Sequence, residues 1–133
     1  MLSQNIRPRA GIKEVEAALR KLFPSGHEDF IALTLKELQL HSDKNNDYSG
    51  GPGNDPWGNF HRVAGILSLY PNLDVSRPAV VAIIYLLKQL DAILWTLSCG
   101  HSLKVENLEE RLRDISVYSK IISILEEEKC KTK

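Results

Sequence analysis

The sequence is poor in cysteine and begins without an apolar run. Its 133 residues include two cysteines, Cys99 and Cys130, so one disulfide at most is available. Cys130 lies in the polar segment EEEKCKTK, where an ordered disulfide is not expected. A reduced, intracellular protein is the simpler interpretation. The first residues, MLSQNIRPRAG, lack the apolar core of a secretory signal, so we expect a cytoplasmic protein.

An excess of charge of one sign is also absent. Lys and Arg total 17, Asp and Glu total 17, and the formal net charge is zero. This balance gives no signature of a protein whose main partner is a nucleic-acid backbone or an anionic membrane. Hydrophobic residues make up 43% and charged residues 26%, which is an ordinary globular composition. The length suits a single domain over residues 1–133.

Strand patterns and internal repeats are missing as well. No run alternates between apolar and polar residues over the length of a strand. Five segments instead place apolar residues at helical spacing: residues 12–23, 25–41, 56–70, 78–98 and 105–128. We therefore predict an all-α fold, a bundle of four to five helices. Residues 1–10 and 127–133 are expected to be flexible, and residues 44–56 to form a glycine-rich loop.

The third predicted helix carries an apolar row that we expect to face the core. The members of this row recur at helical spacing and are Phe60, Val63, Ala64, Leu67 and Tyr70. The helix follows directly on the glycine-rich segment, so its first turn and that segment are expected to be neighbours.

The fourth predicted helix, PAVVAIIYLLKQLDAILWTLS, approaches the length of a membrane span. A helix that is apolar on all sides is buried either in protein or in lipid. Lys88, Gln89 and Asp91 lie at its centre, and each is costly in a bilayer. We interpret the segment as the central helix of a bundle with no membrane contact, shared between the two copies of a homodimer.

Lys88 and Asp91 are three residues apart and so lie on one face of the fourth helix. Charged residues are rarely buried unless they are paired or serve a ligand. Two interpretations stay open at this point. The pair could be an intrahelical ion pair at the rim of the core. Alternatively, the residues could line a polar groove between helices, which is a common position for binding sites in bundles.

A second acidic set lies on the fifth predicted helix. Glu110 and Asp114 are four residues apart on one face, and Tyr118 follows one turn later. Alone, the set is typical of a solvated helix face. Together with Asp91 it could form a carboxylate cluster, and Mg²⁺ is commonly held by one or two carboxylates together with substrate phosphates. The sequence thus offers Asp91, Asp114 and Glu110 as candidate ligands of a magnesium ion.

The segment KNNDYSGGPGNDPWGNFHR, residues 44–62, combines glycines with aromatic and polar side chains. Glycines allow positive φ angles and a close approach of the backbone to a ligand. Arg62 could bind a phosphate with two hydrogen bonds, Tyr48 could stack on a base, and Asn59 lies in the first turn of the next helix. The alternative is a long loop held in the core by Trp57 and Phe60.

Four short motifs in this order resemble a known family. They are DY at Asp47–Tyr48, GNF at Gly58–Phe60, LLKQLD at Leu86–Asp91 and LRDISVY at Leu112–Tyr118. The chain resembles the MazG-like all-α nucleotide pyrophosphohydrolase superfamily, in particular its phage-type branch associated with nucleotide modification. The resemblance covers roughly residues 37–125.

This resemblance implies a helical, often dimeric protein that uses Mg²⁺ to hydrolyse nucleoside triphosphates to pyrophosphate. It makes Asp91 and Asp114 the catalytic, metal-binding acids. Two positions depart from the family pattern, because Lys88 and Arg111 stand where glutamates would be expected. Glu110 could substitute only from an adjacent position on the helix. The departures weaken the expected metal site, because the number of charged ligands governs affinity.

Two functions therefore stay open from the sequence. In the first, the protein handles nucleotides as a possible Mg²⁺-dependent pyrophosphohydrolase whose acidic motifs are partly lost. Its nucleotide would contact Lys88, Tyr48, Asn59, Arg62, Arg111 and Tyr118. In the second, the protein is a non-catalytic helical interaction or nucleotide-binding protein of phage or mobile-element type.

Overall fold

A computed structural model describes residues 11–132, and all regular structure in that range is helical. The five helices are α1 (Ile12–Leu22), α2 (Glu28–Ser49), α3 (Gly58–Ser68), α4 (Pro78–Cys99) and α5 (Leu108–Lys131). No strand occurs between residues 11 and 132. The predicted all-α fold is confirmed. The chain divides into two compact units, and the division falls within α2, after Ser42.

The first unit, up to Ser42, contains α1 and the first half of α2. Arg20 near the end of α1 forms ion pairs with Glu16 at 2.5 Å and with Glu28 at 2.8 Å. This unit contains an apolar cavity of about 560 Å³. The residues that line it fall within residues 19–34 and include the buried Ile31.

The second unit, from Asp43 onwards, is organised around α4. This helix packs against α5 and against α3. Its buried apolar residues are mostly small, namely Ala79, Val80, Ala82, Ala92 and Ile93. Polar and charged residues are buried beside them: Asp47, Ser49, Asn59, Gln89, Asp91, Thr96 and Arg111. Because buried polar groups need partners, the contacts among these side chains determine how the unit holds together.

Two predicted boundaries are corrected. Residues 44–49 continue α2, so the glycine-rich connection spans residues 50–57 and is shorter than the predicted loop at 44–56. The helix ends at Gly50, whose φ of +87° suits glycine. At the other end, α5 continues to Lys131, so residues 127–131 are helical and are not a flexible tail. Residues 1–10 and 133, also expected to be flexible, lie outside the described residues.

The expectation that the apolar row of α3 faces the core is wrong for most of the row, in which only Val63 and Leu67 are half-buried. Phe60 is 64% exposed and Tyr70 is 59% exposed. The buried residues of this helix are Gly58 and Asn59, in its first turn. The helix therefore turns a polar edge towards the rest of the unit. The reason is the side chain of Arg62, which must reach an acidic partner on α4, as described below.

Helix α4 keeps a large apolar surface outside the core. Within residues 11–132 it is the one helix long and apolar enough to cross a membrane, with a mean hydropathy of 1.7 over its 18-residue window. Of that window, 39% is buried inside the protein. Its exposed apolar residues include Ile83, Leu90, Leu94 and Leu97.

Candidate functional site

The centre of the second unit is an ion pair between α3 and α4. Arg62 donates from Nε to Asp91 Oδ1 at 2.7 Å and from a terminal nitrogen to Asp91 Oδ2 at 2.9 Å. The Asp91 side chain is 6% exposed and that of Arg62 is 27% exposed. Asp91 thus pairs with Arg62 and not with Lys88, so the first of the two interpretations open from the sequence, an intrahelical ion pair, is wrong. Two parallel hydrogen bonds fix both side chains and neutralise the buried carboxylate.

Neighbouring residues position the Arg62 guanidinium. It lies 4.0 Å from the centre of the Trp95 ring, a cation–π contact, and Trp95 Nε1 donates to the carbonyl of Ser49 at 2.9 Å. A Cβ atom on Gly58 would lie 2.9 Å from a terminal nitrogen of Arg62. Gly58 therefore leaves the space that the guanidinium occupies.

Tyr48, in the last turn of α2, lies between two further cations. Lys88 Nζ is 5.3 Å and the Arg111 guanidinium carbon 4.9 Å from the centre of its ring. The carbonyl of Tyr48 also accepts a hydrogen bond from Arg62 at 3.4 Å. Tyr48 thus contacts Arg62 of α3 through its carbonyl oxygen, and Lys88 of α4 and Arg111 of α5 through its ring.

Arg111 is the most deeply buried cation of the described chain, with a side chain 1% exposed. It donates to Gln89 Oε1 at 3.0 Å and lies 3.2 Å from Glu106 Oε2. Gln89 in turn donates to Asp114 Oδ2 at 2.8 Å. The Arg111 Nε has no hydrogen-bond partner within residues 11–132. Gln89 therefore links the buried arginine to the acid of α5.

We name this set the polar cluster, and its charges balance. Its cations are Arg62, Lys88 and Arg111, and its anions are Asp91, Glu106 and Asp114. Three charges of each sign leave no excess of positive charge for a phosphate group. Balanced, hydrogen-bonded charges of this kind are typical of a buried structural network.

The expected magnesium ligands have other partners in this arrangement. Both oxygens of Asp91 accept from Arg62, and Asp114 accepts from Gln89. Glu110 forms a capping box at the start of α5, where its side chain accepts from the Asn107 backbone and Asn107 accepts from the Glu110 backbone. Between residues 11 and 132, no three His, Cys, Asp or Glu side chains group as metal ligands would.

Two other predicted site residues lie outside the hydrogen bonds of the polar cluster. Asn59 is buried in the first turn of α3. Tyr118 packs edge-on against Tyr85, with ring centres 6.0 Å apart and an interplanar angle of 80°. Neither residue has a hydrogen bond to the cluster in the part of the chain that the structure describes.

The glycine-rich connection is not held in the core by its aromatic residues. Trp57 and Phe60 are 54% and 64% exposed and contact each other, with ring centres 6.4 Å apart. Asp55 accepts from the Trp57 backbone at 2.9 Å and lies 2.6 Å from His61 Nδ1. The Trp57 N–H, followed by His61, holds the pKa of Asp55 below its ordinary value. The connection is thus ordered by polar contacts at the start of α3.

Sequence reasoning missed several residues of this region. The sequence indicates for Gln89 only that it is costly in a bilayer, and it indicates no role for Glu106. Asp47 was noted only as part of a motif, yet it is fully buried. A polar residue inside an apolar helix is a usable signal for Gln89. For Asp47 the chain offers none, because the N–H groups that it binds lie more than fifty residues away in sequence.

Comparison of the chain with protein-family models, with curated proteins and with solved structures finds no match. The interpretation of the polar cluster therefore depends on its own geometry.

Proposed function

We propose that the protein is a non-catalytic helical interaction protein that forms a homodimer through α4. The observation that carries the proposal is a row of apolar residues on this helix, which we name the α4 row: Ile83, Leu87, Leu90, Leu94 and Leu97, all exposed except the half-buried Leu87. Leu94 and Leu97 are 58% and 65% exposed. An apolar helix face left in water is typical of an interaction surface.

The spacing of the α4 row favours a second copy of the chain as the partner. Its members are separated alternately by four and three residues, which is the spacing of a coiled-coil seam. A seam of this kind pairs with its own copy around a twofold axis, because the same residues then meet on both sides. A different side of α4 is buried in the second unit and carries Ala82, Ala92 and Ile93.

The state of the acidic residues supports a role without catalysis. Asp91 is held by Arg62, Asp114 by Gln89, and Glu110 by the start of its own helix. A carboxylate acting as metal ligand or general base needs an oxygen that is free to face the metal or the substrate, and both oxygens of Asp91 accept from Arg62. In this proposal the polar cluster fixes the positions of α2, α3, α4 and α5 in the second unit, and thereby the orientation of the α4 row.

The test is the mass of the protein in solution. The chain has a mass of 15.0 kDa, and we expect light scattering after gel filtration to show twice this value. Leu94→Glu should give the mass of the monomer, because the two introduced carboxylates would repel each other across the dimer interface. Leu112→Glu is a matched control, since Leu112 on α5 is 56% exposed and lies outside the α4 row. It should stay dimeric.

Two results would contradict the homodimer. One is a monomeric wild-type protein at tens of micromolar; the other is an equal loss of dimer in the Leu94→Glu and Leu112→Glu variants. A chain that stays in solution only with detergent would instead indicate that α4 lies in a membrane.

A second candidate function is nucleotide binding, as the resemblance to MazG-like pyrophosphohydrolases suggests. The observation in its favour is that six predicted site residues belong to one cluster, Asp114 through Gln89 and the others by direct contacts: Tyr48, Arg62, Lys88, Asp91, Arg111 and Asp114. Lys88 is exposed and has no ion-pair partner among the described residues. It is the cation best placed to meet a phosphate at the surface, beside the ring of Tyr48.

Thermal unfolding with nucleoside triphosphates, with and without Mg²⁺, separates the two candidates. A ligand at a hundred times its dissociation constant stabilises a protein by about 2.7 kcal/mol, which raises Tm by several degrees. The interaction protein should show no shift. A metal-independent shift lost in Lys88→Ala would support nucleotide binding. A shift that needs Mg²⁺ and is lost in Asp114→Ala would support the hydrolase expectation.

A further inference from the structure

The connection between α4 and α5, residues 100–107, is attached to the rest of the second unit by one short stretch of α2. We name this connection the strap. Asn46 Nδ2 donates to the carbonyl of Ser102 at 3.1 Å, and His101 Nε2 lies 3.0 Å from the carbonyl oxygen of Asp47. A carbonyl oxygen only accepts hydrogen bonds, so His101 carries its proton on Nε2 at this contact.

The strongest attachment of the strap is the Asp47 carboxylate. It accepts from three successive backbone N–H groups: Lys104 at 2.7 Å, Val105 at 2.8 Å and Glu106 at 3.3 Å. Asp47 is fully buried. Three N–H groups converging on one carboxylate form the kind of concavity that binds anions in other proteins. Here an acidic side chain of the same chain fills it.

The strap also provides the anionic partner of Arg111. Glu106 is the last residue held by Asp47, and its carboxylate lies 3.2 Å from the Arg111 guanidinium. Arg111 is 1% exposed although its Nε has no hydrogen-bond partner in residues 11–132. Burial of a guanidinium whose donors are incompletely used costs free energy, so Arg111 would gain hydrogen bonds to water if the residues that cover it moved away.

We propose that the strap is a hinged cover over Arg111, held closed by Asp47 as an internal anion. When the three N–H groups leave Asp47, Glu106 leaves Arg111. The guanidinium then becomes accessible beside Tyr48 and Lys88. The polar cluster loses one negative charge in that state, so its net charge becomes positive. Opening of the strap therefore exposes Arg111 at the same time, and both depend on the contact that Asp47 of α2 makes with the strap.

The test compares Asp47→Asn with the wild-type protein by two measurements. In hydrogen exchange, the amides of residues 104–106 should exchange about tenfold faster or more, because hydrogen bonds to a charged group are lost. In mass spectrometry after phenylglyoxal treatment, Arg111 should be unmodified in the wild-type protein and modified in the variant. Asp74→Asn is the control: Asp74 accepts from the backbone of Ser76, outside the strap, and both measurements should stay unchanged.

Two further variants separate a released strap from a protein that fails to fold. Asn46→Ala removes the contact to Ser102 and a 3.4 Å hydrogen bond to Asp47 Oδ1 but keeps the Asp47 carboxylate, so it should speed exchange in the strap by a smaller factor. Asp47→Ala leaves a gap that formate can fill, so formate should restore protection of residues 104–106 and chloride at the same ionic strength should not. In every variant the amides of Ala92 and Ile93 report whether α4 is intact.

The proposal fails if residues 104–106 stay protected in Asp47→Asn while α4 is intact, because Asp47 then does not hold the strap. It also fails if those amides exchange quickly while Arg111 stays unreactive, because the strap then does not cover the arginine. Modification of Arg111 in the wild-type protein at the rate of the exposed Arg113 would equally overturn it.

Discussion

Arg62 on α3 and Asp91 on α4 join two helices through paired hydrogen bonds of 2.7 and 2.9 Å. The guanidinium is also stacked 4.0 Å from the Trp95 ring. This geometry explains why α3 buries its first turn and leaves Phe60 in water, since the helix must bring Arg62 to Asp91. It also removes the acid most suited to metal binding from that use.

Loss of either member of this pair should destabilise the second unit. Arg62→Ala leaves Asp91 buried without its cation and should lower the free energy of unfolding by about 3–5 kcal/mol. Asp91→Ala should lower it by less, about 2–3 kcal/mol, because Arg62 is partly exposed and water can solvate it. Urea unfolding measures both values.

The exposed ion pair between Arg113 and Glu109 on α5 supplies the control for this prediction. Its side chains are more than 70% exposed, so Arg113→Ala should change the free energy of unfolding by no more than about 0.5 kcal/mol. Equal effects of Arg113→Ala and Arg62→Ala would show that the Arg62–Asp91 pair has no special role.

The capping box of α5 distinguishes a structural from a metal-binding role for Glu110. Asn107→Ala should lower the free energy of unfolding by about 1 kcal/mol, because the first turn loses a hydrogen-bond acceptor. Glu110→Gln should be close to wild type, since glutamine makes the same reciprocal contact. Both values come from urea unfolding with and without Mg²⁺. A Mg²⁺-dependent stabilisation that disappears in Glu110→Gln would instead identify Glu110 as a metal ligand.

Gly50 should be the least replaceable glycine of the connection after α2. Its φ is +87°, and a Cβ atom there would lie 2.9 Å from Asn54 Nδ2 and 3.3 Å from His101 Nδ1. Backbone strain alone gives Gly50→Ala a cost of about 1–2 kcal/mol in unfolding free energy. Thermal unfolding should show the lower Tm.

Gly65 is the matched control for Gly50. It lies inside α3, and a Cβ atom there would meet nothing within 4 Å. Gly65→Ala should therefore stabilise the protein by about 0.5–1 kcal/mol, because alanine restricts the unfolded chain and suits a helix. If both alanine variants shift Tm in the same direction, the conformational explanation is wrong.

The lowered pKa of Asp55 predicts that the free energy of unfolding depends on pH below about pH 4. The Trp57 N–H and then His61 hold its pKa in the folded protein below the ordinary value. A depressed carboxyl pKa contributes stability that is present above the unfolded-state pKa and is lost as pH falls through the folded-state pKa. The difference in unfolding free energy between wild type and Asp55→Asn should therefore be constant near neutral pH and shrink in acid. A difference that grows in acid would contradict this assignment.

The sequence determined the class of fold and the approximate positions of its five helices, because helical periodicity is a local property of the chain. Apolar spacing located α1 and α4 within a few residues. It failed where polar residues continue a helix, as in residues 44–49 of α2, and where a helix exposes its apolar row, as in α3. In both places contacts distant in sequence override the local pattern.

The sequence by itself also identified most residues of the polar cluster, since charged and aromatic residues in and beside an apolar helix are conspicuous. Only the tertiary structure decided their partners. Asp91 turns to Arg62 and not to Lys88, Asp114 turns to Gln89, and Asp47 holds a connection more than fifty residues away. The free energy of a buried charge depends on which opposite charge or N–H group packing brings within hydrogen-bond distance, and no local pattern of residues specifies that distance.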